Sequence, residues 1–333
     1  MKSKEKEERP VDNSPIDLVL RPTKWDEYVG QEKAKVNLRL IIDAAKKRGE
    51  SCDHVLLYGQ AGLGKTTLAH IIAREMNAQI KVTTGPALEK AGDVAAILSN
   101  LEASDVLFID EAHRINKLVE EILYPALENR KLHFVVGKGP AARTFSLDLP
   151  PFTVIAATTK VNLLSNPLRS RFGATIRLDY YIESDIEKII RRSAGILGAP
   201  IDEDAVAALS RASRKTPRTA NRLLKRSRDY AEVHGNGSIT KEAVEETLKL
   251  LEIDALGLEK TDRELLEGLI LKYNGGPAGI KALAAALSEE TGTIEDVYEP
   301  FLIGIGMLER TAAGRIATKK AYEHLGIKKE GLV

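Results

Sequence analysis

The chain has 333 residues, a formal net charge of +1 and a single cysteine. That length supports two or three domains with ample core, and the near-neutral balance excludes a polycation, so any nucleic-acid contact must come from local patches. Cys52 alone excludes an internal disulfide and a cysteine-rich zinc site, and the six histidines show no ligand spacing.

In chain order, residues 1–15 read as a mixed-charge, disordered tail without the apolar core of a signal peptide. No apolar run reaches the ~18 residues of a membrane span, and the expectation is a soluble cytoplasmic protein with no membrane contact. Val55-Leu56-Leu57-Tyr58 is an apolar run suited to a buried parallel strand, and Gly59 to Thr66 follow as a complete Gly-x-x-x-x-Gly-Lys-Thr phosphate loop. Thr67 to Ala73 then take up the spacing of an amphipathic helix. Glycines 59, 62 and 64 let backbone N–H groups wrap phosphates, and the helix start adds its partial positive charge. In this motif Lys65 meets the β- and γ-phosphates and the Thr66 hydroxyl ligates magnesium. Strand, loop and helix stand in the required order, so the chain is expected to bind a nucleoside triphosphate with Mg2+.

Ile80–Thr83 is strand-like. Asp105 to Ile109 form a second buried-strand run, which ends in Asp110-Glu111-Ala112-His113. An Asp at such a strand end holds magnesium, and the Glu after it polarises the attacking water. His113 is read either as a coupling residue or as a plain hydrogen-bonded histidine. Residues 131–149 carry the pattern of a β-hairpin with a Gly/Pro turn. Its Phe145 and Leu147 serve a partner surface or pack on their own domain. Thr153–Ala157 is the next strand, and the alternation over 16–180 implies a parallel sheet with helices on both faces.

From 182 to 252 the apolar spacing is helical, with segments at 186–197, 203–213 and 217–234. Between Arg211 and Arg228 stand Arg214, Lys215, Arg218, Arg222, Lys225 and Arg226 without an acid. Such an arginine-rich run is either a solvated face or a contact for phosphate or a subunit. The end reads as a winged helix-turn-helix: a helix over 281–288, a turn at Thr291-Gly292-Thr293, a second helix over 294–305 and a hairpin wing over 308–318. Arg310, Arg315, Lys319 and Lys320 make one positive strip, which fits phosphate contacts.

Together these motifs resemble the AAA+ ATPases, and among them the RuvB family of Holliday junction branch-migration motors. The resemblance spans about 20 to 327. Its marks are Arg21-Pro22, Tyr28-Val-Gly-Gln31, both nucleotide motifs, Gly137-Lys-Gly-Pro-Ala-Ala-Arg143, Pro167-Leu-Arg-Ser-Arg-Phe-Gly173, Thr216-Pro-Arg-Thr-Ala-Asn-Arg222, Asn274-Gly-Gly-Pro277 and Glu290 to Pro300. It implies an α/β fold in three parts: an AAA+ P-loop parallel-sheet domain over 1–181, a helical lid over 182–253 and a winged-helix DNA-binding domain over 255–333.

The resemblance also assigns roles. Thr158 is the γ-phosphate sensor, and Arg171 is the arginine finger for a neighbour's nucleotide, with Arg169 its competitor. Arg218 touches the phosphates in cis. Leu20, Arg21, Tyr28, Tyr181 and Pro217 surround the base, and Thr67 follows the phosphate loop. Glu128, Asn129 and Arg130 approach the neighbouring subunit's nucleotide. The 131–149 hairpin docks the junction-binding partner RuvA, Arg310 and Arg315 touch DNA, and the subunits form a ring, expected to be a hexamer on duplex arms. The sequence departs from the family pattern at Gln60-Ala61, where two prolines are usual, at Ala112, at Lys160, where an arginine is usual, and at Ala312-Ala313 in the wing. The implied activity is ATP-driven branch migration of Holliday junctions. The alternative is an AAA+ switch like initiators and clamp loaders, which the 131–149 hairpin disfavours.

Overall fold

The computed structural model describes residues 16–136 and 143–328, so the expected disorder of 1–15 and the Gly/Pro turn at 137–142 lie outside the described residues. The first half builds a five-stranded parallel sheet from β1 (Val55–Tyr58), β2 (Ile80–Thr84), β3 (Val106–Asp110), β6 (Thr153–Thr158) and β7 (Ala174–Arg177), in the order β2-β3-β6-β1-β7. The inner strands β1, β3 and β6 are near-continuous apolar runs because both faces are covered, while the edge strands β2 and β7 are partly exposed. Val55, Leu57, Phe108 and Ile155 pack on one face against the helices Glu32–Arg48 and Lys65–Glu75. Leu56, Leu107, Ile109 and Val154 pack on the other face with Val119 and Leu123 of the helix Lys117–Asn129. Each such Leu or Ile, fully buried, contributes roughly 1.5–3 kcal/mol.

Between that helix and β6 the chain makes the expected hairpin, β4 (Lys131–Val136) with β5 (Arg143–Asp148), in antiparallel register from Lys131 opposite Asp148 to Val136 opposite Arg143. Leu132 and Leu149 anchor its base in the core, while Phe145 and Leu147 are exposed.

The helices Glu183–Leu197, Glu203–Ala212, Pro217–His234 and Lys241–Leu250 follow. Their apolar faces, through Ile186, Ile190, Leu209 and Leu223, continue the core that begins under β1 and β3. A separate core, with Leu265, Leu269, Leu302 and Met307, holds the helices Lys260–Tyr273 and Ile280–Leu287 against the wing, β8 (Leu308–Thr311) with β9 (Gly314–Ala317). Two sequence expectations change here. Thr291–Thr293 is a helical turn in its own right, and the second helix expected over 294–305 divides into a π-helical turn, Ile294–Tyr298, and an α-helix, Glu299–Gly304. Apolar spacing marks a helical face but does not register one extra residue in a turn.

Candidate active site

The strand ends gather the chemistry. Gly59, at the end of β1, has φ +144°, and a Cβ there would stand 2.4 Å from the Leu178 carbonyl oxygen. Gly64 has φ +98°, with the Tyr28 hydroxyl 2.7 Å from where a Cβ would sit. Conformation and space both demand glycine at these two turns. The Tyr28 and Tyr181 hydroxyls lie 3.3 Å apart, and each donates to the Leu63 carbonyl at 3.3 Å. Burial pushes the Tyr181 phenol up to about 12, and that of Tyr28 well above its ordinary value, so both stay neutral donors. They brace the phosphate loop from behind.

Lys65 is only 8% exposed. Its Nζ donates to the carbonyls of Gly59 and Gln60, each at 2.8 Å. Burial pulls its pKa down to about 8; Arg218 adds to that fall, and Asp110 opposes it. Two cations held this close, one of them desolvated, make a site that favours an anion. Thr66 Oγ1 lies 3.4 Å from Asp110 Oδ2. A hydroxyl and a carboxylate are hard oxygen donors that suit Mg2+ completed by nucleotide phosphates, rather than a cage built from protein alone. The described residues contain no cluster of three or more His, Cys, Asp or Glu able to hold a metal.

Glu111 sits in the left-handed region at φ 49°, ψ 42°, which turns its side chain off the line of β3. Its backbone N–H donates to Asp110 Oδ1 at 2.9 Å, and Arg114 holds its carboxylate at 3.1 Å. His113 Nδ1 is 3.0 Å from Thr158 Oγ1, and that oxygen accepts the Lys160 N–H at 2.9 Å. Burial lowers the His113 pKa, Glu111 partly restores it, and Lys160 and Arg114 lower it again. A neutral His113 protonated at Nε2 accepts the threonine proton at Nδ1. The contact seen is the one the plain hydrogen-bond reading of His113 expects.

A cavity of about 620 Å³ opens over these groups. Its walls include Leu20, Arg21, Gly62, Gly64, Lys65, Thr66, Thr67, Asp110, Glu111, Pro217 and Arg218, all singled out from sequence. Thr216 caps the helix that starts at Pro217 and carries Arg218. Pro22, Thr159 and Asn221 line it too and were missed as site residues, and so do Arg222 and Lys225 of the basic run that was read as a solvated face or a phosphate contact. For Asn221 the signal was available, since it falls on the helix face of Arg218, Arg222 and Lys225 at three- to four-residue spacing. Tyr28, Gly59, Thr158 and Tyr181 stand behind the wall and not in it. Tyr28 and Tyr181, expected around the base, spend their hydroxyls on Leu63, and Thr158 spends its own on His113 and the Lys160 N–H.

Arg171 and the segment Glu128 to Arg130 do not reach this cavity. The Arg171 guanidinium bonds to Glu128 at 2.9 Å and to the Pro167 carbonyl at 2.6 Å, and it lies 4.5 Å over the Tyr124 ring. Its Nε is buried without a hydrogen-bond partner.

The wing separates two residues that the sequence treated alike. Arg310 and Arg315 face each other across β8 and β9, yet they differ in exposure. Arg310 has 58% of its side chain exposed and shares Glu295 at 3.3 Å. Arg315 is 7% exposed and turns inward on Glu299 at 2.5 Å and Glu295 at 2.9 Å. The Glu299 hydrogen bond is the main cause of its raised pKa. Charge count alone made the two arginines equivalent; the carboxylates beneath the wing separate them.

A phosphate loop at the end of β1, an acidic pair at the end of β3 and an arginine on a helical lid, all facing one cavity, define a P-loop nucleotide-binding ATPase of the AAA+ kind. Family models agree along the whole of this span. Residues 20–178 match the Holliday junction DNA helicase RuvB P-loop domain, 181–254 the RuvB AAA lid domain, and 255–326 the RuvB C-terminal winged helix domain. The chain is 55% identical over 316 residues to the Holliday junction branch migration complex subunit RuvB of Chloroflexus aurantiacus, covering 95% of this chain and 90% of that one. A solved structure, the Thermotoga maritima RuvB Holliday junction branch migration motor, superposes with a TM-score of 0.85 at 49% identity, over 93% of this chain and 99% of the other. The chain belongs to the RuvB family.

Proposed function

We propose that this protein is an ATP-driven motor that moves Holliday junctions, as the names of its relatives describe, working in the cytoplasm as a ring on duplex arms. One observation carries the catalytic part of this reading. The cavity gathers the phosphate loop, the acidic pair and Arg218 from one chain, while Arg171 is turned away from it.

In this reading Lys65 leaves the Gly59 and Gln60 carbonyls for the β- and γ-phosphates. Arg218 closes on the same phosphates from the lid, and Leu20, Arg21 and Pro217 enclose the rest of the nucleotide. Thr66 and Asp110 would hold Mg2+, which when bound neutralises phosphate charge. Glu111, released from Arg114, orients the attacking water. Thr158, fixed by His113, keeps the strand end beside the γ-phosphate in register with the loop, because the Gly59 N–H donates to the Thr158 carbonyl at 3.2 Å. Arg171, from the neighbouring subunit together with Glu128, Asn129 and Arg130, supplies positive charge against the negative charge that develops on the phosphate oxygens in the transition state. Its unsatisfied Nε and its exposed carboxylate partner suit a side chain that exchanges Glu128 for a phosphate.

The remaining parts serve transmission. The three units proposed from sequence, 1–181, 182–253 and 255–333, would act as ATPase core, lid and DNA-contacting head. The 131–149 hairpin, with Phe145 and Leu147 exposed, is proposed to dock RuvA. Arg310 is proposed to meet the duplex backbone, with Arg315 holding its strand from beneath. Backbone contact suits movement that ignores sequence.

The test is ATP-dependent branch migration of a synthetic four-way junction, with and without RuvA. Migration by the wild type, lost in Glu111→Gln and Arg171→Ala, is expected. Junction binding and ATP turnover without migration would favour an ATP-gated switch.

A further inference from the structure

The γ-phosphate sensor and the wing are joined by a short line of contacts that the ATPase chemistry does not require. It begins at Thr158, whose hydroxyl accepts the Lys160 N–H at 2.9 Å. Lys160 then sends its side chain out of the large domain, and its Nζ pairs with Asp296 Oδ2 at 2.5 Å. Among the described residues this is the one ion pair that joins the large domain to the winged helix. Asp296 stands in the π-helical turn Ile294–Tyr298. Its neighbour Glu295 takes Arg315 at 2.9 Å and Arg310 at 3.3 Å. Two consecutive carboxylates on one irregular turn thus face opposite ways, one to the nucleotide sensor and one to the wing.

The setting of this pair differs from that of the buried contact between the winged helix and the lid. Toward the lid the domain is fixed firmly: Arg214 pairs with the fully buried Asp262 and lies 4.0 Å over the Phe301 ring. His324 meets Asp254 at 2.7 Å with both side chains largely covered, while the Arg222–Glu259 pair at 3.0 Å lies in the open. Toward the sensor the link is Lys160 and Asp296, whose side chains are 34% and 40% exposed. A half-exposed pair is weak enough to open and close, whereas a buried one is not. The π-turn holds one residue in excess of the α-helical register, an irregularity frequent at functional sites.

We propose that Lys160 and Asp296 are positioning residues that tie the γ-phosphate sensor to the DNA-contacting wing through the 294–298 turn. The proposal rests on the motor reading above. When the sensor shifts with the state of the γ-phosphate, Lys160 moves with it and pulls on Asp296. Glu295 then changes its hold on Arg310, so ATP state and wing contact bias each other. Such coupling is reciprocal, so duplex DNA held by the wing favours the sensor position that supports turnover.

The experiment measures ATP turnover by the full chain, without DNA and with saturating duplex, for wild type, Asp296→Asn and Lys160→Gln. Both variants are expected to keep the DNA-free rate and the KM for ATP. Both should lose about twofold to fivefold of the acceleration that duplex gives to kcat, the range a half-exposed pair can supply. Lys160→Arg should keep the acceleration, and exchanging the charges, Lys160→Glu with Asp296→Lys, should restore it. A role confined to folding would lower the DNA-free rate as well and would not be rescued by the exchange. Acceleration in the single variants equal to that of wild type overturns the relay and leaves the motor reading standing. A wild type that duplex does not accelerate overturns both.

Discussion

Raising the pH from 7 to 9 should weaken nucleotide binding about tenfold, and Lys65 is the reason. Burial holds its pKa at about 8 in the open cleft, with Arg218 adding to the fall. A bound phosphate restores the charge, so the protonated form binds and the neutral form does not. Affinity is therefore fully present below about 8 and is lost as pH rises through that value. The apparent Kd scales as one plus the ratio of neutral to charged lysine, which is about 1.1 at pH 7 and about 11 at pH 9. That loss corresponds to about 1.4 kcal/mol. The assay is fluorescence titration with a labelled ADP at fixed Mg2+, run in parallel on Lys65→Arg, whose guanidinium does not titrate in this range. Subtracting the variant's pH profile removes ionisation of the nucleotide itself. If wild type and Lys65→Arg share one profile, Lys65 is not the titrating group and the argument from its burial fails.

Arg171→Ala should lower kcat by about three orders of magnitude while leaving the Kd for nucleotide within about twofold, because its contacts here are Glu128, Pro167 and Tyr124 and not the cavity. Stopped-flow binding beside steady-state turnover separates the two effects. Asp262→Asn should destabilise the joint between lid and winged helix by about 3 kcal/mol, since it strands Arg214 against a buried neutral group; urea unfolding followed by circular dichroism reads this directly. In the wing, Arg310→Ala should weaken duplex binding and flatten its salt dependence by about one unit of slope. Arg315→Ala should instead lower the unfolding midpoint, because it leaves the buried Glu299 without its close cation. Salt-series binding isotherms and thermal melts on both variants distinguish the two roles.

Sequence showed most clearly what repeats locally. Strands buried on both faces announce themselves as unbroken apolar runs, so β1, β3 and β6 were readable beside their loops. Helices with one apolar face, such as Pro217–His234, were readable to the residue. The phosphate loop needed no tertiary information, because its glycines answer to local φ and to backbone approach. Contacts across long separations left no such trace. Nothing near Tyr28 announces Tyr181, yet their shared Leu63 carbonyl removes both from the cavity wall. The basic run over 211–228 looked uniform, but the fold divides it. Arg218 faces the nucleotide cavity, Arg214 is spent on Asp262, and Arg222 both lines the cavity and reaches Glu259. Arg315 likewise looked like Arg310 until Glu299 was found beneath it. Charge sign is written in the sequence; the partner that consumes the charge is set by tertiary packing.

The central claim is that the ATPase site is completed by a second copy of the chain, and mixing subunits tests it most directly. Lys65→Ala and Arg171→Ala proteins, each inactive alone, are combined in equal amounts with duplex DNA and ATP. An interface with the phosphate loop of one variant and the finger of the other is intact, and random assembly makes about a quarter of the interfaces so. Turnover is expected to return to about a quarter of wild type. Turnover that stays at the level of the separate variants would mean that Arg171 serves its own chain, and the shared site would have to be abandoned.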